Sequence, residues 1–175
     1  MKKGLLLVIL VLMIVMTGSF FLGDRYTVQR SLVVKAPVGN LIERIGNLEN
    51  QNLWDPWKGD DPILRFQYGK QRSGPGAGVT WVSPSSGKGS LRILESRGPG
   101  LITARLDMGE KGTALVSWKL VTVPGGVKVT LTYDGNAGPL PVDKYRALIM
   151  DLILGPPLER ALQGLSTPGA KAVGP

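Results

Sequence analysis

The chain has 175 residues, with 21 Lys and Arg against 13 Asp and Glu for a net charge of +8, and neither cysteine nor histidine. The lack of cysteine excludes disulfides, thiol chemistry and a lipoprotein anchor. The lack of histidine removes the commonest metal ligand and the commonest near-neutral general base, so Ser-His-Asp and Cys-His arrangements are excluded, and no metal or other cofactor is expected. The cations are scattered singly, whereas nucleic-acid binding needs a concentrated basic patch, so nucleic acid is not an expected partner.

Lys2 and Lys3 precede Gly4 to Leu22, nineteen residues without a charge. As a helix this run is about 28 Å long, close to the hydrocarbon thickness of a bilayer. The expectation is a single-pass anchor over residues 1–23. The lysines keep the N-terminus cytoplasmic and place everything from Gly23 on the extracytoplasmic side. A signal peptide cut after Ser19, giving a secreted protein, is the alternative.

Residues 24–165 are long enough for one domain with its own core. Arg25 to Lys35 alternates with period two, as a strand does, with Tyr26, Val28, Leu32 and Val34 on one side and Arg30 interrupting that face. Pro37 to Gly46 has helical spacing at Val38, Leu41, Ile42 and Ile45. Asn47 to Trp57 reads as irregular or briefly helical. Strands follow at Ile63–Tyr68, Val79–Ser83, Gly89–Ser96, Leu101–Met108, Thr113–Val123 and Val127–Tyr133, each bounded by Gly, Pro or Ser turn residues. Asp134 to Pro141 reads as a loop. Pro141 to Leu165 reads as a helix whose apolar stripe, Tyr145, Leu148, Ile149, Leu152 and Ile153, should cover the sheet, with a break or kink at Gly155-Pro156-Pro157. Residues 166–175 lack apolar periodicity and are expected to be disordered.

Several residues carry two readings. Trp54 and Trp57 are either a gate at a pocket mouth or a plug that packs the loop against the sheet. Phe66, Tyr68, Trp81, Trp118 and Tyr133 fall on the inner sheet face, as core or as pocket wall. Tyr145 either offers its hydroxyl to a bound polar head or is a satisfied core tyrosine. Asp55, Glu95 and Asp134 are acid–base candidates by position only. Gly74, Gly76 and Gly78 lie between strands rather than at a helix start, so they read as a hairpin and not as a phosphate cradle.

This order of elements, with Tyr26-Thr-Val-Gln-Arg-Ser, Ala36-Pro37, Trp54-Asp-Pro-Trp57, Gly76-Ala-Gly78-Val-Thr-Trp81, Gly89-Ser-Leu-Arg-Ile-Leu-Glu95 and the C-terminal helix, resembles the START-like or SRPBCC superfamily, and within it the polyketide cyclase/dehydratase branch. The resemblance spans about Arg25 to Leu165 and rests on the ordered set. It implies an α+β helix-grip fold: a seven-stranded antiparallel sheet around a long C-terminal helix, with a hydrophobic pocket between them. It also implies binding of a hydrophobic small molecule or lipid. The pocket residues expected on that basis are Trp57, Phe66, Tyr68, Trp81, Trp118, Tyr133, Tyr145 and Ile149. Ring-closing relatives place polar acid–base groups in the pocket. Here neither histidine nor clustered inward carboxylates are visible, so no catalytic residue is assigned. A cyclase/dehydratase-like enzyme and an interaction module with a filled cavity are the alternatives.

Overall fold

The computed structural model describes residues 2–55, 61, 63–84, 87–98, 100–109, 112–138 and 140–166. Helix α1, Lys2–Ser19, is followed by strand β1, Arg25–Val34, helix α2, Val38–Gly46, a 3-10 turn at Leu48–Asn50 and a short helix α3, Gln51–Trp54. Six further strands form an uninterrupted series: β2, Arg65–Tyr68; β3, Gly78–Ser83; β4, Gly87–Arg97; β5, Leu101–Asp107; β6, Thr113–Val123; and β7, Gly126–Asn136. Helices α4, Pro141–Leu148, and α5, Met150–Ser166, complete the domain.

The seven strands make one antiparallel sheet in the order β1-β7-β6-β5-β4-β3-β2. Consecutive strands pair through hairpins. The one long connection, from β1 to β2, carries α2, the 3-10 turn and α3 across the inner face. The alternation in the sequence sets which side chains turn inward: Val28, Ile93, Ala104, Val116, Trp118, Leu131 and Tyr133 are all buried. Two cross-strand pairs set a large ring over a glycine. A Cβ on Gly89 would fall on the Trp81 ring, and one on Gly135 on the Tyr26 ring. Glycine is therefore required at both places for the rings to lie flat against the sheet.

Helix α5 packs along β1 and α3 packs against α5. Gly164 permits the second approach, because a Cβ there would run into the Leu53 carbonyl. Arg30, the residue that interrupts the apolar face of β1, reaches α5. Its guanidinium donates to both carboxylate oxygens of Asp151, at 2.7 and 2.9 Å, and through Nε to Glu159 at 2.9 Å. These bonds hold the Asp151 carboxyl below its usual range. The C-terminal end of α5 is tied down by Arg44, which donates to the Leu165 carbonyl at 3.0 Å.

Four sequence expectations need correction. The expected helix over Gly4 to Leu22 ends at Ser19, and Phe20 to Leu22 form a turn closed by bonds from their amides to Thr17, Gly18 and Ser19. The uncharged helical part, Gly4 to Ser19, is only about 24 Å long, shorter than a hydrocarbon core of about 30 Å. Among the described residues, no helix is long and apolar enough to cross a membrane. Second, β7 extends through Asn136 into the segment read as a loop, because Asp134, Gly135 and Asn136 pair with both β1 and β6.

Third, the last helix breaks at Ile149 (φ −104°, ψ 7°) and not at Gly155-Pro156-Pro157, which lies inside α5. The two prolines withhold amide donors from the carbonyls of Leu152 and Ile153, two residues that are themselves exposed. Fourth, the residues buried by α5 are Met150, Leu154, Leu158, Ala161, Leu162 and Leu165, and the expected stripe through Leu148, Ile149, Leu152 and Ile153 is exposed. The tail from Thr167 lies outside the described residues.

Candidate functional site

The inner sheet face is strongly aromatic. Trp54 of α3 stands edge-on to Trp118 of β6, with ring centroids 5.4 Å apart. Its Nε1 donates to the Arg44 carbonyl at 2.9 Å, which fixes α3 to α2. The packing reading of Trp54 is therefore the one realised. Trp118 pairs across the sheet with Leu131, and Tyr133 lies two residues further along β7, so the two rings are diagonal neighbours on one face. Tyr133 is fully buried, and burial foremost, with the Asp55 carboxylate second, pushes its phenol well above the usual range. Asp55 thus sits close enough to Tyr133 to be felt by it, and its Oδ2 is buried.

Toward the β2–β3 end the face opens. Phe66 and Trp81 pair across these strands with ring centroids 6.3 Å apart, and Phe66 and Tyr68 are only partly buried. The Arg72 guanidinium lies over the Tyr68 ring at 5.2 Å from its centroid, a cation–π arrangement. Burial raises the Tyr68 phenol as well.

Three interior polar atoms have no hydrogen-bonding partner among the described residues: the Trp118 indole N–H, the Tyr26 hydroxyl and Gln51 Oε1. All three residues are more than nine-tenths buried. Each such atom costs about 1–3 kcal/mol relative to a satisfied one. A core shaped for stability alone would carry apolar groups there.

The expected pocket residues divide into three groups. Phe66, Tyr68, Trp81, Trp118 and Tyr133 share the inner face as expected. Tyr145 and Ile149 do not join them. The Tyr145 hydroxyl donates to the Val15 carbonyl of α1 at 2.9 Å, and Ile149 is half exposed. Trp57 lies outside the described residues. Sequence reasoning did not single out Tyr26 and Gln51. Tyr26 was visible as an inward position of β1, but nothing marks its hydroxyl as unpartnered before its neighbours are known.

The positional acid–base candidates also separate. Glu95 is exposed and paired with Arg97 at 2.9 Å, and Asp134 accepts from the Thr27 hydroxyl on the outer face at 2.6 Å. Only Asp55 turns inward. Among the described residues, no group of three carboxylates converges as a metal site. A separate cavity of about 590 Å³ opens on the outer face, between Arg25, Thr27, Leu94, Arg105, Leu115 and Asn136.

A seven-stranded antiparallel sheet with its C-terminal helix laid across the inner face is a helix-grip fold, as the sequence resemblance implies. Solved structures agree. Protein CV1439 from Chromobacterium violaceum matches with a TM-score of 0.57 at 16% identity, over 80% of this chain and 94% of that one. The di-domain ARO/CYC StfQ from the steffimycin biosynthetic pathway matches with 0.59 at 11% identity, over 81% of this chain and 50% of that one. Ara h 8.0201 matches with 0.52 at 15% identity, over 82% and 99%. No family model and no curated protein sequence matches the chain. At these identities the likeness establishes the fold, and the site must be argued from its own residues.

Proposed function

We propose that the domain binds a hydrophobic small molecule or lipid against the inner sheet face and that α1 attaches it to a membrane. One observation carries the binding reading: an aromatic inner face that retains the unpartnered Trp118 N–H, Tyr26 hydroxyl and Gln51 Oε1. A ligand with an apolar body and a small polar group gains about 25 cal/mol per Å² of apolar area removed from water, before ordering costs, and can supply the missing hydrogen bonds. Membrane attachment is supported by α1, where Leu6, Leu7, Ile9, Leu10, Val11 and the four apolar side chains from Met13 to Met16 are exposed. Lys2 and Lys3 on the cytoplasmic side with the domain extracytoplasmic would require the apolar run to continue from α1 through Phe20 to Leu22 to cross the bilayer, which protease protection in intact cells tests.

The test of binding uses the full chain in detergent micelles, incubated with a total lipid extract, washed and analysed by native mass spectrometry. A retained apolar ligand, lost in Trp81→Ala while the fold persists by circular dichroism, is the expected result. If nothing apolar is retained and Trp81→Ala changes stability alone, the filled interaction module is the better description.

A second reading has one observation in its favour. Asp55 lies near the Tyr133 phenol, which holds its proton far above neutral pH. For cyclisation or dehydration the carboxylate would serve as general base and the phenol as hydrogen-bond donor. Turnover of a poly-β-ketone analogue that is abolished in both Asp55→Asn and Tyr133→Phe would favour this enzyme reading.

A further inference from the structure

The stripe that fails to cover the sheet is the feature the fold leaves unexplained. Val142, Leu148, Ile149, Leu152 and Ile153 are between 45% and 77% exposed, and no residue of α4 is fully buried. Val142, Tyr145 and Leu148 have the spacing of one face of α4, and Leu152 and Ile153 follow on the exposed side of α5 just beyond the break at Ile149. A contiguous apolar surface of this kind marks an interaction site.

The structure also indicates its occupant. In the middle of the stripe the Tyr145 hydroxyl donates to the Val15 carbonyl, and the neighbouring Lys144 ammonium donates to the Ser19 carbonyl at 3.1 Å. Gly18 leaves room for the Tyr145 hydroxyl, since a Cβ there would lie 2.5 Å from it. The stripe is therefore joined to α1 and continues its exposed apolar surface through Phe20 and Phe21. The carboxylates next to the stripe are both engaged within the protein, Asp143 with the Leu140 amide and Arg146, and Asp151 with Arg30. Neither presents a free negative charge toward that surface. A helix apolar around its circumference and a stripe beside it need a cover without fixed shape, and a lipid phase supplies one.

We infer that the α4–α5 face bearing Val142, Leu148, Ile149, Leu152 and Ile153 is a second membrane-contact surface, seated in the bilayer interface beside α1. This rests on the membrane attachment of α1 proposed above. It adds that the domain is held against the lipid in one orientation and does not swing freely on a tether.

The chain has no cysteine, so single cysteines can be introduced and labelled cleanly. Full-length Leu152→Cys, Leu148→Cys, Leu10→Cys and Lys128→Cys, each carrying an environment-sensitive fluorophore, are reconstituted in vesicles of phosphatidylcholine and phosphatidylglycerol. The expected result is blue-shifted emission and quenching by brominated lipid at positions 152 and 148 as well as 10, with position 128 on the outer sheet face unaffected. If position 10 is quenched while 148 and 152 match 128, the inference fails and the attachment of α1 stands. If none is quenched, attachment and inference fall together. Shielding at 148 and 152 that is insensitive to brominated lipid, with disulfide dimers formed by unlabelled Leu152→Cys, would assign the face to a second copy of the chain and overturn the inference.

Discussion

Gly164→Ala tests whether α3, and with it Trp54, is positioned by backbone contact with α5. In an ordinary helix interior this substitution stabilises by about 1 kcal/mol, because glycine loses more backbone freedom on folding. At Gly164 a Cβ would strike the Leu53 carbonyl oxygen and lie 3.2 Å from both the Leu53 carbonyl carbon and the Trp54 Cα. All three are backbone atoms, so no side-chain rotation relieves the clash. Overpacking of this kind costs about 1–3 kcal/mol, which leaves a net loss of up to about 2 kcal/mol. Gly39→Ala is the control. Gly39 lies on the first turn of α2 with nothing within 4 Å of the added atom, so the same change should stabilise by about 0.5–1 kcal/mol. The separation, about 2 kcal/mol, corresponds to roughly 8 °C between the two melting temperatures for a domain of this size. Thermal melts by far-UV circular dichroism measure it. The near-UV spectrum should change only in Gly164→Ala, through the Trp54–Trp118 pair. If Gly164→Ala melts as high as Gly39→Ala with an unchanged near-UV spectrum, the close approach of α3 and α5 is wrong.

Tyr26→Phe removes a buried hydroxyl that has no partner while keeping the ring over Gly135, so the ligand-free chain should gain about 1 kcal/mol in urea denaturation and lose part of any stabilisation by ligand. A loss of a similar size would mean that the hydroxyl is bonded. The Asp151 carboxyl is lowered by its bonds to Arg30, so its contribution is present above the ordinary aspartate range and is lost as pH falls through the lowered value. Arg30→Met should flatten the acid limb of a plot of urea midpoint against pH, and identical limbs in the two proteins would refute the pairing. Burial raises the phenols of Tyr26, Tyr68 and Tyr133, so their contribution is present below about pH 10 and is lost as pH rises through the raised values. The phenolate absorbance that Tyr133→Phe removes should therefore appear only with alkaline unfolding. Its appearance near pH 10 in the folded chain would contradict the burial of that ring.

The strands were legible because one side of the sheet is buried and the other is wet, which writes a period of two into β5, β6 and β7. The strand continuing through Asp134 to Asn136 was not, because Gly135 offers no side chain to the alternation. It serves instead as the floor beneath Tyr26. The last helix shows the limit of periodicity more clearly. Around Met150 to Leu154 it is apolar on two faces: Met150 and Leu154 lie on one, Leu152 and Ile153 on the other. Spacing identifies both faces and cannot choose which meets the sheet. The choice is made by contacts distant in sequence, namely Arg30 on Asp151 and Glu159, and Leu53 against Gly164. The inner aromatic residues were readable for the same reason as the strands. The unpartnered atoms among them were not, since hydrogen-bond satisfaction depends on neighbours that no sequence pattern supplies.

The sheet register joins these features. Trp81 pairs with Gly89, which is next to Ser90, the partner of Asp107; Asp107 pairs with Thr113, Thr113 with Asn136, and Asn136 with Arg25. The open aromatic end of the inner face, at Phe66 and Trp81, is therefore the end at which β1 begins, a few residues after α1. Tyr26, with its unpartnered hydroxyl, lies at that end as well, and Trp118 and Tyr133 lie further in. If α1 and the α4–α5 stripe are seated in a bilayer, the less tightly packed rings are the ones nearest the lipid and the unpartnered indole N–H is deeper. A ligand leaving the bilayer would then meet the half-buried rings and the Tyr26 hydroxyl first and the Trp118 indole N–H afterwards. That order suits an amphiphile entering with its polar group leading, and an amphiphile whose polar group is blocked should bind more weakly than its parent by about the worth of one buried hydrogen bond, roughly 1 kcal/mol or about fivefold in affinity.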